Sequence, residues 1–328
     1  MRAALGFFTR LTDFLVMHSF PENRPKIVLA GGNGFLGQHL ARHFQRLGYR
    51  VVVVSRANTS APNHVHWDGR SLGAWAAELE GAVALINLAG RTVDCRYTEA
   101  NKQEILSSRI DSTRVLGEAV AACQRPPQVW LNSSTATIYA HNENWQRANT
   151  ETNGKIGTGF SVEVAQAWEA DFWAAATPNT RRIALRTSIV LGADGGALPV
   201  MKKLAKWGLC TPQGSGDQWI SWLHIHDFCR AVEFLITETN QTGVFNVCAP
   251  TPLTNRSFNA LLAQELKPLV RLPQPVWLLE LGAFLLRTET ELILKSRKVV
   301  PQRLLDLGFT FRYPTCEPAL TNLLPLVA

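Results

Sequence analysis

Short, wholly apolar runs alternate with amphipathic stretches through the first two-thirds of the chain. KIVLA at 26–30 leads into GGNGFLG, then into the helical pattern QHLARHFQRLG, which stops at Gly48 and gives way to the strand YRVVVVS. Further apolar runs follow at VALINLA (83–89), QVWLNSS (128–134), RIALRTSIVL (182–191) and GVFNVCA (243–249). Strands without polar alternation are buried on both faces, so the pattern predicts a parallel sheet covered by helices on either side. The long stretch EANKQEILSSRIDSTRVLGEAVAAC places Leu106, Ile110, Thr113, Leu116 and Val120 on one helical face, packed on that sheet.

After Leu191 the pattern loosens into pieces rich in Gly, Pro and Trp. The chain is therefore expected to leave the sheet near 191 and to return near 243. This divides it into a Rossmann-type nucleotide-binding domain over 26–191, rejoined by about 224–249, and a smaller substrate-side lobe from 192–223 and 250–328. Residues 1–25 read as an extension: an amphipathic targeting arm, a surface helix, or an over-long start ahead of Met17. Arg10 and Asp13 interrupt its apolar run, unlike the core of a signal peptide.

Composition narrows the function. The chain has 328 residues, 46% hydrophobic and 18% charged, as in an α/β domain with an appended lobe. Its formal net charge of +7 is spread rather than gathered into a stripe, which favours an anionic small ligand over nucleic acid. No apolar run reaches about 18 residues, so no membrane span is expected. Six cysteines without C-x-x-C or zinc spacing predict reduced, buried thiols, a cytoplasmic location and no metal site.

The chemistry begins at AGGNGFLG. Gly31, Gly34 and Gly37 form a G-x-x-G-x-x-G turn between a strand and a helix, where glycines permit a tight bend and close approach of backbone to a pyrophosphate. Gly31, Gly34, Phe35, Leu36 and Gly37 are the expected cradle, with the helix N-terminus facing the phosphates. An NAD-selective protein usually carries Asp or Glu at the end of the second strand. Here that strand ends in Ser55 and Arg56, and a guanidinium suits the 2′-phosphate of NADP(H).

With GGNGFLG, VVVVSR, INLAG and GSGDQWISWLHIHD, the chain resembles an atypical extended short-chain dehydrogenase/reductase of the NAD-dependent epimerase/dehydratase family, the nucleoside-diphosphate-sugar epimerase type with its own C-terminal domain of unknown function. The resemblance runs over roughly 26–325 and includes KQEILSSRIDSTR, RTSIVLGADGGALP, TNRSFNALLAQ and KSRKVVPQRLLDLGFTFRYPT. It implies cofactor contacts at Ser55, Arg56, Leu88, Ala89, Glu104, Arg109 and Val190. Gly90, after Leu88 and Ala89 at a strand's carboxyl end, would let the backbone pass close to the cofactor. It also implies hydride chemistry on a small polar substrate resembling a nucleotide sugar. Glu104 could accept from a sugar hydroxyl or orient an Arg.

One departure bears on catalysis. In GFSVEVAQAWE, where the superfamily carries a Tyr and, four residues on, a Lys that lowers its pKa, this chain has Phe160 and Val164. With Trp168 they form one helical face given to packing. The resemblance puts Thr135 near the hydroxyl that binds substrate oxygen, and Thr135 and Tyr139 in NSSTATIYAH are the candidate replacements, although both could serve as a cap or a core ring. The rival reading is a non-catalytic NADP(H) sensor or scaffold. Lys155 reads as solvated. His224 and His226 fall on one side of a strand without a third ligand, with Asp227 capping the helix that follows. Gly214, Gly216, Trp219 and Trp222 line the substrate mouth or pack between lobes.

Overall fold

The computed structural model describes residues 24–141, 147–272, 274 and 295–324. Most of the N-terminal extension therefore lies outside the described residues. The expected doubly wound sheet is present. Its seven parallel strands are β1 (Lys26–Ala30), β2 (Arg50–Ser55), β3 (His64–His66), β4 (Ala84–Asn87), β5 (Val129–Thr135), β6 (Arg181–Thr187) and β10 (Gly243–Val247), in the order β10-β6-β5-β4-β1-β2-β3. From β1 the order runs to β2 and β3 on one side and to β4, β5, β6 and β10 on the other. The reversal opens a crevice at the carboxyl ends of β1 and β4, where such sheets bind ligands.

The apolar runs became central strands because both of their faces are buried. Ile27 and Leu29 of β1, with Val51 and Val53 of β2, enter one core, beneath helices α1 (Phe35–Arg46) and α5 (Ile225–Thr237). Val28, Ala30, Val52 and Val54 enter the other, beneath α2 (Glu99–Ala122) and α3 (Phe160–Ala174). Full burial of each such side chain stabilises by about 1.5–3 kcal/mol relative to exposure, which overrides any preference for a polar face.

Two expectations need correction. RIALRTSIVL is not one strand: β6 ends at Thr187, and β7 (Ile189–Leu191) pairs in parallel with β9 (Trp222–His224) in a separate two-stranded sheet. At the break the Ser188 N–H donates to the Val247 carbonyl and the Ile189 N–H to that of Ser221, so the chain leaves the main sheet at 187 rather than 191. On α2, Leu106 and Ile110 are only half-buried. Thr113, Leu116 and Val120 are buried as expected and are joined by Ile105, Ser112, Val115, Gly117 and Ala119, because α3 packs alongside and widens the covered face.

Between β7 and β9 lie α4 (Leu198–Lys206) and β8 (Trp219–Ile220), the latter paired with β11 (Leu253–Thr254). Helices α6 (Asn255–Leu266), α7 (Gln302–Asp306) and α8 (Cys316–Leu323) complete the described C-terminal part. Phe258, Leu304, Phe309, Phe311, Ala319 and Leu320 join the same core as α1 and α5. Of the six free cysteines, four are buried, while Cys95 and Cys123 are half-buried. Among the described residues no helix is long and apolar enough to cross a membrane.

Candidate functional site

The loops that follow β1, β2, β4, β5 and β6 gather at one edge of the sheet. After β1, Gly31 adopts φ +75°, and a Cβ there would lie 2.7 Å from the Ala89 Cα, so the loop after β4 can close on this turn only over a glycine. A Cβ on Gly37 would lie 2.3 Å from the Gly32 carbonyl oxygen, and its absence seats α1 directly on the turn. Gly34 is different. It caps α1 at φ −74°, and a Cβ there would meet no protein atom within 4 Å.

No side chain caps α1, and its first turn carries no acid. The orphan N–H groups and the positive end of the helix dipole are thus left for an anion at an open backbone position, the arrangement a pyrophosphate requires. Phe35 contributes its backbone to this end. Its ring packs under residues 192–196, where Cβ atoms on Gly192 and Gly195 would approach it to 2.4 Å. Leu36 packs against the core.

Asn33 ties the turn to the second strand by donating from Nδ2 to Ser55 Oγ at 2.8 Å. Ser55 is buried in this role and Arg56 beside it is exposed, at the rim where an adenosine 2′-phosphate would lie. The loop after β4 is held from below. Buried Asn87 donates to Asn132 Oδ1 at 2.7 Å and to Thr113 Oγ1 at 3.2 Å, while its own Oδ1 accepts the Ala89 N–H at 3.0 Å. That clamp fixes Leu88, Ala89 and exposed Gly90 at the crevice. Neither Asn33 nor Asn87 was singled out from sequence; their position beside the Gly-rich turn and inside INLAG was the available signal.

Glu104 and Arg109, five residues apart on α2, have separate partners. Glu104 pairs with Arg91, whose Nη2 also donates to Asn101 Oδ1 at 2.9 Å, so Glu104 orients an Arg on the loop after β4. Arg109 donates to the Ile105 carbonyl at 2.9 Å and lies 5.1 Å over the Trp168 ring. A Cβ on Gly90 would be 3.2 Å from its guanidinium carbon. Burial lowers the Arg109 pKa to about 10, which leaves it cationic at neutral pH. Val190 is buried on β7, and its carbonyl lies 2.8 Å from where a Gly196 Cβ would stand.

On α3 the face expected to serve packing does so. Val164 and Trp168 are buried, and the Trp168 indole donates to Thr113 Oγ1 at 2.9 Å. Phe160 opens the helix and is half-buried. Thr135 ends β5, caps the short turn at 136–138 through the Thr137 N–H at 3.1 Å, and is half-buried. Tyr139 is fully buried. Its hydroxyl donates to Asn246 Oδ1 at 2.7 Å and accepts from Arg186 Nη1 at 3.1 Å, and burial raises its pKa. Arg186 in turn grips Glu169 with two bonds of 2.8 and 2.7 Å, and Glu169 also accepts from Ser134. Of the two candidate hydroxyls, the structure leaves Thr135 nearer the open edge and commits Tyr139 to this cluster.

The His pair is not arranged as expected. His224 ends β9 and is itself the cap of α5, accepting the His226 N–H on Nδ1 at 3.0 Å, while His226 already belongs to the helix. Asp227 is not the cap. It is buried in the first turn and accepts the N–H groups of Arg312 and Tyr313 at 2.9 and 2.8 Å. Among the described residues no three His, Cys, Asp or Glu side chains gather as a metal site. Trp222 is a core residue with its indole bonded to the Thr251 carbonyl, so it does not line a mouth; Trp219 is half-buried with Lys298 over its ring. Lys155 is exposed.

The chain is similar to known proteins over most of its length. Residues 27–248 match the NAD dependent epimerase/dehydratase family, and residues 274–323 match a domain of unknown function, DUF1731. The epimerase family protein YfhF of Bacillus subtilis is 31% identical over 303 residues, 91% of this chain and 97% of its own length. The crystal structure of a human epimerase family protein, SDR39U1, solved with NADPH, is similar with a TM-score of 0.81 and 28% identity, covering 91% of this chain and 98% of that one. A nucleoside-diphosphate sugar epimerase from Corynebacterium glutamicum has a TM-score of 0.74 at 26% identity, covering 97% of this chain and 61% of that one.

Proposed function

Because the chain belongs to the NAD dependent epimerase/dehydratase family, we propose that it is an NADP(H)-binding oxidoreductase or epimerase-like enzyme acting on a small polar, sugar-derived substrate. The nucleotide cradle supports the first half of this reading. Gly31 and Gly37 make the close backbone approaches, Gly34 leaves the anion its space, and uncapped α1 supplies the donors. The observation that carries the choice of NADP(H) is the end of β2. Ser55 is bonded to Asn33, Arg56 is exposed, and no carboxylate stands there to repel a 2′-phosphate. The NADPH bound by the human relative is consistent with it.

When bound, the nicotinamide would supply a hydride donor or acceptor at C4. The residues of this chain orient it. Asn87 and Asn132 hold the loop at Leu88–Gly90, and Thr135 offers a hydroxyl at the carboxyl end of β5 to a substrate oxygen. Titration of NADPH and NADH against the wild-type chain and Arg56→Asp, followed by nicotinamide fluorescence, tests the cofactor. NADPH should bind wild type tighter than NADH by roughly tenfold or more, and the variant should lose that preference; equal NADPH affinity in both proteins would defeat the assignment.

A non-catalytic NADP(H) sensor is the second reading, favoured by Phe160 and Val164 in the places of the superfamily's Tyr and Lys. A panel of carbonyl compounds and nucleotide sugars, watched at the nicotinamide absorbance, separates the two. Oxidation or reduction of cofactor with any member supports the enzyme. Tight binding with no turnover across the panel supports the sensor.

A further inference from the structure

The face of α3 that lost its phenol is met by another. Tyr97 is half-buried at the end of the loop from β4 to α2, and its ring lies against that of Phe160, with centroids 5.0 Å apart and planes at 66°. One residue bonds the neighbours on either side of it. Asn101 donates from Nδ2 to the Arg96 carbonyl at 2.6 Å, and its backbone N–H donates to Thr98 Oγ1 at 3.3 Å. The Asn101 side-chain oxygen accepts from Arg91, which Glu104 also binds. Tyr97 is therefore presented from a braced loop directly before the first turn of α2.

A half-buried cation lies further along the same helices. Arg109, nearly three turns into α2, lies over Trp168 on the same α3 face that begins with Phe160, and close under Gly90 at the carboxyl end of β4. Its charge and the Tyr97 hydroxyl act on one another. Lys102, paired with Glu99 at 2.8 Å, lies 5.8 Å from the Phe160 ring centroid. A phenol and two cations thus stand along the α3 face, at Phe160 and Trp168, whose residues 160 and 164 can supply neither. The other nearby tyrosine, Tyr139, is shut into the cluster with Asn246 and Arg186.

We propose that Tyr97 is the catalytic acid–base of this protein and that Arg109 is the cation that assists it, a Tyr–Arg pair on α2 and its leading loop doing the work of the missing pair on α3. The proposal rests on the NADP(H) reading above. In the oxidising direction Tyr97 Oη, as phenolate, takes the proton of a substrate hydroxyl. A bound oxidised nicotinamide would accept as hydride the electron pair of the neighbouring C–H bond as the C–O bond becomes a carbonyl. In the reducing direction the Tyr97 hydroxyl would protonate the carbonyl oxygen while a bound reduced nicotinamide supplied the hydride to its carbon. Arg109 favours the phenolate by its charge. The charged groups around the ring contact are Lys102 and its partner Glu99 of α2, Glu163 in the first turn of α3 and Lys295 beside Gly159 at its start, with Arg109 of α2 further along that helix.

Tyr97→Phe keeps the ring against Phe160 and removes only the hydroxyl. The tyrosinate absorbance of the wild-type chain minus that of Tyr97→Phe, followed against pH without cofactor, reports this one phenol. It should titrate below ordinary tyrosine, and Arg109→Met should move it back up. A phenol that titrates with ordinary tyrosine overturns the proposal whether or not cofactor binds. Any turnover found in the substrate panel should fall roughly 10²–10⁴-fold in Tyr97→Phe while NADPH affinity stays unchanged; turnover equal to wild type also overturns it. Failure of the wild-type chain to bind NADPH would instead strike the cofactor reading, leaving the titration to stand or fall separately.

Discussion

Positions 34 and 37 are both glycine, yet a methyl group placed on each would do different things. Gly34→Ala adds a Cβ that touches no protein atom at a φ any residue adopts, so stability should match wild type. The methyl occupies the space an approaching phosphate needs, and NADPH affinity should fall by roughly tenfold or more. Gly37→Ala drives its Cβ into the Gly32 backbone, and should lower stability by about 1–3 kcal/mol or prevent folding. Thermal melts with and without NADPH check both. The glycines were legible because the spacing of the turn is local. The clamps that hold it were not, since Asn33 and Ser55 are 22 residues apart and Asn87 and Asn132 are 45 apart.

At the scale of elements, α3 is fastened to the sheet by charge rather than by apolar contact alone. Glu169 takes two hydrogen bonds from Arg186 of β6 and one from Ser134 of β5, residues that are register partners on adjacent strands. Burial by itself would lower the Arg186 pKa, but the hydrogen bonds and charge of Glu169 outweigh it and raise the value. Glu169→Gln leaves a buried guanidinium without its counter-charge. It should cost about 3–5 kcal/mol in urea denaturation, most of which Glu169→Met with Arg186→Leu should recover. Strand periodicity predicted which segments form the sheet, whereas the break at Ser188 was invisible in RIALRTSIVL. Apolar character continues through that break, and only the change of hydrogen-bond partner, from Val247 to Ser221, marks it.

Across the whole molecule, the C-terminal residues are bound back to the sheet's helices at the start of α5. His224 stacks on Tyr313 with ring centroids 4.0 Å apart and bonds Asn322 at 3.2 Å, while Asp227 holds the backbone of Arg312 and Tyr313. Burial lowers the His224 pKa from 6.5 to about 4. The unfolded chain therefore takes up a proton that the folded chain refuses as pH falls from about 6.5 to 4. Stability present above 6.5 is lost across that window, by on the order of 3 kcal/mol from this group. His224→Asn, which can still cap α5, should show a smaller difference between urea midpoints at about pH 7 and pH 4.5 than wild type does. His224 thus serves as a helix cap and an anchor for the C-terminal part.

The sequence by itself determined the doubly wound sheet, the Gly-rich turn, the basic end of β2 and the apolar residues 160 and 164 on α3. Each is written in residues close together along the chain, as an apolar run, a glycine spacing or a helical repeat. Tertiary structure decided which polar groups meet. It closed Tyr139 into a cluster with Arg186 and Asn246, tied Glu104 to Arg91, made His224 a cap, and laid Tyr97 against Phe160, 63 positions further on. A hydroxyl or a guanidinium carries the same chemistry at every position. Burial and the neighbour that folding brings to it decide whether it packs or reacts.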